Sequence, residues 1–270
     1  MTVKIGVCGA AGKMGKAILE VCKETSGIEI SAAIEHPDSS KIGIDAGEVA
    51  GIGKLGIVIT DDILSVAKDV DVMIDFTLAT SVTQNIDNCV VGNCKMVIGT
   101  TGLDEKDHTQ IKTAANKIAI VCAPNMSIGV NLCFKLLEMT SNVIGKDADI
   151  EIVEAHHRDK KDAPSGTALA IARSIISGLS PDSPLITPET KTELIQGSRG
   201  ADYQGVKIHA SRMQGMLAQH NVVFGTSGQT LEVKHNTINR ECYMPGVLRA
   251  VRDVRNHKTL IVGLENILGL

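Results

Sequence analysis

The sequence has no tryptophan, two tyrosines and three phenylalanines, and its net charge is −4. So few aromatic rings leave no surface on which bases could stack, and without an excess of Lys and Arg there is no broad face for a phosphate backbone. Nucleic acid is therefore not an expected partner. Long apolar runs are also absent. The longest stretches, such as Ile118-Ala-Ile-Val-Cys-Ala-Pro124, fall far short of the roughly 20 residues that span a bilayer. Met1-Thr-Val-Lys leads directly into an apolar segment without a signal-peptide pattern. A cytoplasmic protein that stays out of the membrane is expected. The cysteines number seven, an odd count, and most lie in apolar runs (Cys8, Cys122, Cys133), which reads as reduced core residues rather than a disulfide framework. Cys89 and Cys94 are the one close pair, and no second pair lies nearby to complete four metal ligands. No internal repeat or low-complexity tract interrupts the chain.

What is present fits an ordinary globular protein. With 270 residues, 43% hydrophobic and 21% charged, the chain is long enough for two cores. Val3-Lys-Ile-Gly-Val-Cys8 is short and apolar enough for a buried parallel strand. It breaks at Gly9, and residues 13–23 then space Met14, Ala17, Ile18 and Val21 as on a helix. Within that strand, turn and helix, Gly9 permits a tight turn, Gly12 lets a pyrophosphate approach the backbone, and Gly15 lets the helix pack closely on the strand. The amides at the helix start favour phosphate. The pattern is G-x-x-G-x-x-G rather than the commoner G-x-G-x-x-G. A second signal comes twenty residues after Gly15, where the strand-like segment 28–34 ends in Glu35, placed to accept hydrogen bonds from an adenosine ribose.

Further along, strand candidates at 57–59, 70–75, 95–99 and 118–122 alternate with helical candidates near 62–68, 79–91 and 104–116. That alternation predicts a doubly wound parallel sheet of Rossmann type to about residue 127. Asp75-Phe-Thr77 and Gly99-Thr-Thr-Gly102 stand at strand ends, where such a sheet receives its ligand. The texture then changes. A long helix over 128–143, a strand over 150–155, a helix from Thr167, a loop-like region over 178–204 and extended runs at 206–212, 218–224 and 230–235 predict an α+β domain with an open antiparallel or mixed sheet. A last helix over 245–256 begins with a proline suited to a first turn.

The segment from Glu154 to Thr167 gathers two histidines, clustered cations and a Ser-Gly-Thr turn, groups that bind an anion and move protons. Successive residues of a strand point to opposite faces, so His156 and His157 reach one site only if the strand ends near Ala155. A metal held by His156, His157 and Asp162 is the rival reading of this stretch. With the glycine turn, the segment points to a nicotinamide-dependent reductase of an acidic substrate. The alternatives are another two-domain nicotinamide-dependent dehydrogenase of small acids, or a non-catalytic NAD(H) sensor, which would need no proton donor.

Five stretches carry a closer likeness: Glu154-Ala-His-His-Arg158, Lys161-Asp-Ala-Pro-Ser-Gly-Thr167, Val97-Ile-Gly-Thr-Thr-Gly102, Asn125-Met-Ser-Ile-Gly-Val130 and Met244-Pro-Gly-Val-Leu-Arg249. Through them the sequence resembles the 4-hydroxy-tetrahydrodipicolinate reductase (dihydrodipicolinate reductase) family of the diaminopimelate and lysine pathway, over essentially the whole chain. The resemblance implies a Rossmann-type dinucleotide-binding domain over 1–127 completed by 239–270. It implies a domain over 128–238 that binds a small dicarboxylate substrate and forms a homotetramer through its sheet.

The same resemblance supplies roles. Gly9, Ala10, Ala11, Gly12, Lys13 and Met14 would cradle the pyrophosphate, Glu35 and His36 would lie at the adenosine ribose, and Gly99, Thr100, Thr101, Ala123, Pro124, Asn125 and Met126 would line the nicotinamide end. His156 and Lys160 match the proton-handling positions, with hydride going to ring C4. His157, Ser165, Gly166 and Thr167 would hold substrate. No metal is implied. Some relatives that use the phosphorylated cofactor carry Arg after the ribose-binding Glu and after Asp-Phe-Thr; here His36 and Leu78 stand there. NADH is therefore expected to be preferred and NADPH to be usable. His209, His220, His235 and Arg240 are read as structural or interface residues at least as readily as substrate contacts.

Overall fold

A computed structural model of the chain describes residues 2–180, 185 and 190–270, so part of the 178–204 region read as a loop lies outside the described residues. The chain divides into two compact units, 1–128 with 240–270 and 129–239. Among the described residues, no helix is long and apolar enough to cross a membrane.

In the first unit the order is β1 (Val3–Cys8), α1 (Lys13–Glu24), β2 (Ile28–Ile34), α2 (Ala46–Ala50), β3 (Ile59–Thr60), α3 (Ile63–Val66), β4 (Val72–Asp75), α4 (Ala79–Gly92), β5 (Lys95–Ile98), α5 (Glu105–Ala114) and β6 (Ile120–Cys122). The second unit contains most of α6 (Ile128–Ile144), then β7 (Asp149–His157), α7 (Gly166–Gly178), β8 (Ala201–Tyr203), β9 (Val206–Met213), β10 (Ala218–Thr226) and β11 (Gln229–Thr237). The chain then returns to the first unit with α8 (Met244–Asp253), β12 (Leu260–Val262) and α9 (Glu265–Leu268).

The first unit's seven strands are all parallel, in the order β12-β6-β5-β4-β1-β2-β3. Buried on both faces, they read as apolar runs: Ile5, Val7, Val72, Met73, Ile74, Met96, Val97, Ile98, Ile120 and Val121 are all fully shielded. At about 1.5–3 kcal/mol for each large side chain removed from water, these strands dominate the unit's stability. The strand order reverses between β2 and β4 on either side of β1, which makes the carboxyl ends of β1 and β4 the expected ligand crevice. β12 extends the sheet beyond β6, and the sequence pattern did not announce it. β3 has two residues at 59–60 rather than the expected strand over 57–59.

The second unit's sheet is mixed, in the order β11-β10-β7-β9-β8, with only β7 and β9 parallel. Its period-two pattern turns Ile150, Ile152, Val206, Ile208, Val222 and Phe224 toward Leu137 of α6 and toward Ala168, Ile171, Ala172 and Ile175 of α7. β8 lies inside the stretch read as loop-like.

Candidate active site

The glycine turn is built as its spacing requires. Gly9 has φ of 76°, a left-handed conformation that favours glycine, and α1 begins at Lys13 after Gly12. A Cβ on Gly15 would lie 2.1 Å from the Gly9 carbonyl oxygen, so only glycine lets α1 approach the turn this closely. Glu35, directly after β2, accepts from the Ala11 amide at 2.8 Å and from the His36 amide at 3.2 Å. The acidic residue thus stands at the turn itself. His36 is exposed, with Nδ1 3.5 Å from Asp38, and Leu78 is exposed just before α4.

At the next strand ends, buried Asp75 accepts from Thr77 N (3.0 Å), Thr77 Oγ1 (2.7 Å), Asn85 Nδ2 (2.7 Å) and Thr100 Oγ1 (2.9 Å). This lock fixes the segments after β4 and β5 relative to each other, while Thr101 is left exposed. Gly99 and Ala123 donate their amides back to Asp75 and Ile98 at 2.9 Å each, and the Asn125 side chain accepts from Ser127 N at 2.9 Å. Pro124 is exposed and Met126 buried. The expected cofactor residues therefore all lie in the first unit, at the carboxyl edge of its sheet.

In the second unit, strand register builds a polar cluster. Across β7, His156 pairs with Ala218 on β10 and Arg212 on β9, while Glu154 pairs with His220 and Ala210. Glu154, His156 and His220 are buried. Glu154 Oε1 accepts from Arg212 Nη2 (2.9 Å) and Ser165 N (3.1 Å); Oε2 accepts from Arg212 Nη1 (3.0 Å) and hydrogen-bonds His156 Nδ1. Burial pushes the Glu154 carboxyl up, but the bonds from His156, Arg212 and Ser165 outweigh it and bring its pKa down to about 2. Arg212 Nη2 also donates to the Asp162 carbonyl at 2.6 Å, tying the following loop to the strand.

Ser165 caps α7, its Oγ accepting from Ala168 N at 3.1 Å and lying 3.2 Å from His220 Nε2. Burial, and then the neighbouring His156, lower the His220 pKa to about 4. The His156 and His220 rings meet edge to face at 5.2 Å. Lys160 Nζ donates to Asp162 Oδ1 at 2.7 Å, and this bond is the main cause that lowers the Asp162 pKa.

The structure corrects one expectation. β7 does not end near Ala155 but runs through His157, which pairs with Met213. Alternation along the strand therefore sends His156 and His157 to opposite faces, and His157 is not brought into the cluster. The same alternation places His156 and His157 of the rival metal set on opposite faces. Among the described residues, the grouping with ligand-like spacing is Glu154, His156 and His220. Its carboxylate already receives four donors, and the fixed charge of Arg212 opposes a cation there. Sequence reasoning does not single out Glu154 or Arg212, and it leaves His220 open between a structural role and a substrate contact. Glu154 was within reach, two residues before His156 on one strand face; the other two required the sheet register.

A parallel doubly wound sheet with this glycine turn, together with a second unit carrying a carboxylate-held histidine and a lysine near a capped helix start, defines a two-domain nicotinamide-dependent oxidoreductase. Residues 3–126 match the model for the dihydrodipicolinate reductase N-terminus, and residues 129–268 match that for its C-terminus. The chain belongs to the dihydrodipicolinate reductase family. It is 38% identical to a 4-hydroxy-tetrahydrodipicolinate reductase of Alkalilimnicola ehrlichii over 274 residues, covering 100% of both chains. Its fold is similar to that of a dipicolinate-bound dihydrodipicolinate reductase from Paenisporosarcina sp. TG-14, with TM-score 0.82, 29% identity and coverage of 99% of this chain and 100% of that one. An amine dehydrogenase from Mycobacterium smegmatis shares the fold alone, at TM-score 0.60 and 13% identity over 98% of this chain and 96% of that one. The family match makes the chain an oxidoreductase of lysine biosynthesis rather than a sensor.

Proposed function

We propose that this chain reduces 4-hydroxy-2,3,4,5-tetrahydrodipicolinate to 2,3,4,5-tetrahydrodipicolinate with loss of water, using NADH in preference to NADPH and no metal. The observation that carries the reading is the one carboxylate, Glu154, that bonds both the His156 ring and the Ser165 amide at the start of α7. A proton-handling ring and a helix start suited to a carboxylate are thereby held in one frame.

Reduced nicotinamide supplies the hydride. The residues of the chain do the rest. Electron density left beside the reduced ring carbon needs a proton, which the Lys160 ammonium can give directly and the His156 ring can give once it has taken one up. The start of α7 at Ser165 to Thr167, where Gly166 is exposed and its amide now bonds the Asp162 carboxylate, suits one substrate carboxylate in that place. His157 is assigned to substrate on the family's pattern, and its place on the other strand face means that it would have to reach round the end of β7. Gly9 to Met14 suit the pyrophosphate: at Gly12 a Cβ would meet only the Gly9 oxygen, so the backbone is open to close approach. Gly99 to Thr101 and Ala123 to Met126 take the nicotinamide end.

The cofactor preference follows from charge. Glu35 and Asp38 stand where a 2′-phosphate would need cations, and His36 and Leu78 supply no permanent one. The face of the second unit's sheet away from α6 and α7 is assigned to a homotetramer on the family's pattern. Incubating the protein with freshly generated substrate and NADH should consume both, with undiminished rate in a chelator. Absence of turnover with this substrate would overturn the assignment, and loss of activity in chelator would overturn the metal-free reading.

A further inference from the structure

We infer that Glu154 is a positioning residue that fixes His156 as its Nδ1–H tautomer and so makes Nε2 the atom that exchanges the proton. The inference rests on the proton-handling role of His156 proposed above and adds which nitrogen acts and what selects it.

An ionised carboxylate has about four acceptor directions and no donor. Around Glu154 all four are filled, by Arg212 Nη1 and Nη2, Ser165 N and His156 Nδ1. Three of these donors carry fixed hydrogens. None of them allows Glu154 to take up a proton without losing a bond, so the hydrogen between Glu154 and His156 belongs to Nδ1. Nε2 is then the free nitrogen, able to accept a proton and return it without the ring turning.

Arg212 makes this arrangement stiff. Its paired bonds to the carboxylate are the planar fork geometry that Lys does not reproduce, and its remaining Nη hydrogens go to the Ser211 and Asp162 carbonyls. The second ring nearby is kept from competing. His220 Nε2 lies 3.2 Å from the Ser165 Oγ, and burial together with the neighbouring His156 disfavours a charge on that ring. The titratable and charged groups facing His156 are thus Glu154 on its own strand, Arg212 on β9 and His220 on β10, with Lys160 and Asp162 in the loop that follows.

Glu154→Gln tests the claim because it keeps the shape and replaces lone pairs by an NH2. The placement with fewest donor clashes turns that NH2 toward His156 and forces the opposite tautomer. Spectra of the wild-type protein labelled with ¹⁵N in histidine alone, with His156→Ala for assignment, should show Nδ1–H and a bare Nε2 in the neutral ring. Glu154→Gln should reverse this and lower kcat by roughly 10²–10⁴-fold, the range for a lost acid–base group, with little change in KM for NADH. A wild-type spectrum with Nε2–H and bare Nδ1 at His156 would overturn the inference whether or not Glu154→Gln folds. So would a Glu154→Gln enzyme with wild-type kcat and pH profile while His156→Ala is inactive. If His156→Ala itself keeps full turnover, the proton role assigned under the proposed function fails, and the spectrum still decides the tautomer.

Discussion

The backbone amide of Ser165 donates to Glu154 Oε1 at 3.1 Å, joining the first turn of α7 to the end of β7 across eleven residues of chain. The loop between them carries Lys160, and Arg212 binds both Glu154 and the Asp162 carbonyl within the same frame. The site is therefore held from strand, helix and loop at once. Several independent perturbations should report on it.

Recognition of two carboxylates is the first. Pyridine-2,6-dicarboxylate should compete with substrate, and pyridine monocarboxylates should compete much more weakly, because one carboxylate alone leaves half of the anion contacts unmade. Inhibition constants for both classes check this; equal inhibition would contradict the placement at Ser165 to Thr167.

Cofactor choice is the second. His36→Arg should raise the use of NADPH relative to NADH, read as the ratio of kcat/KM values, by placing a permanent cation next to Glu35. A wild-type enzyme that already prefers NADPH strongly at alkaline pH would show that Glu35 and His36 do not set the preference and that another cation, such as Lys13, reaches the phosphate.

Stability against acid is the third. His220 is held neutral, its pKa lowered to about 4 by burial and by His156. The unfolded chain takes up a proton near pH 6.5 and the folded one does not, so this contribution is intact above that value and is lost as pH falls through about 4. At most about 3 kcal/mol is at stake. Denaturant unfolding of wild type and His220→Gln across this window should show a smaller loss in the variant; equal slopes would contradict the effect.

Packing at the cofactor turn is the fourth. Gly15→Ala places a Cβ 2.1 Å from the Gly9 oxygen and 2.7 Å from the Ala10 Cα, both backbone. The cost should be about 1–3 kcal/mol, typical of overpacking, seen as a lower denaturation midpoint. An unchanged midpoint would mean that the turn yields freely.

The readable parts of this molecule were those set by local pattern. Gly9, Gly12 and Gly15 announce the turn because each acts through its own backbone or near neighbours, Ser165 announces a helix start in the same way, and Glu35, 24 residues from the Ala11 amide it binds, is marked by its place at the end of the second strand. His156 and Lys160 are legible through motif likeness rather than spacing. Arg212 lies 58 residues from Glu154, and His220 lies 55 from Ser165, so their roles appear only once β9 and β10 pair on either side of β7. The end of β7 is not legible in the sequence, because charges after His157 mark a loop without marking where pairing stops. β12 is not legible because its three residues, two partly exposed and one exposed, carry too little pattern.

The central claim is proton handling by Lys160 and His156, and single-substitution kinetics test it most directly. With freshly generated 4-hydroxy-tetrahydrodipicolinate and NADH, followed by loss of nicotinamide absorbance, Lys160→Ala should lose roughly 10²–10⁴-fold in kcat while NADH affinity stays close to that of the wild type. A Lys160→Ala enzyme turning over at nearly the wild-type rate would contradict the account.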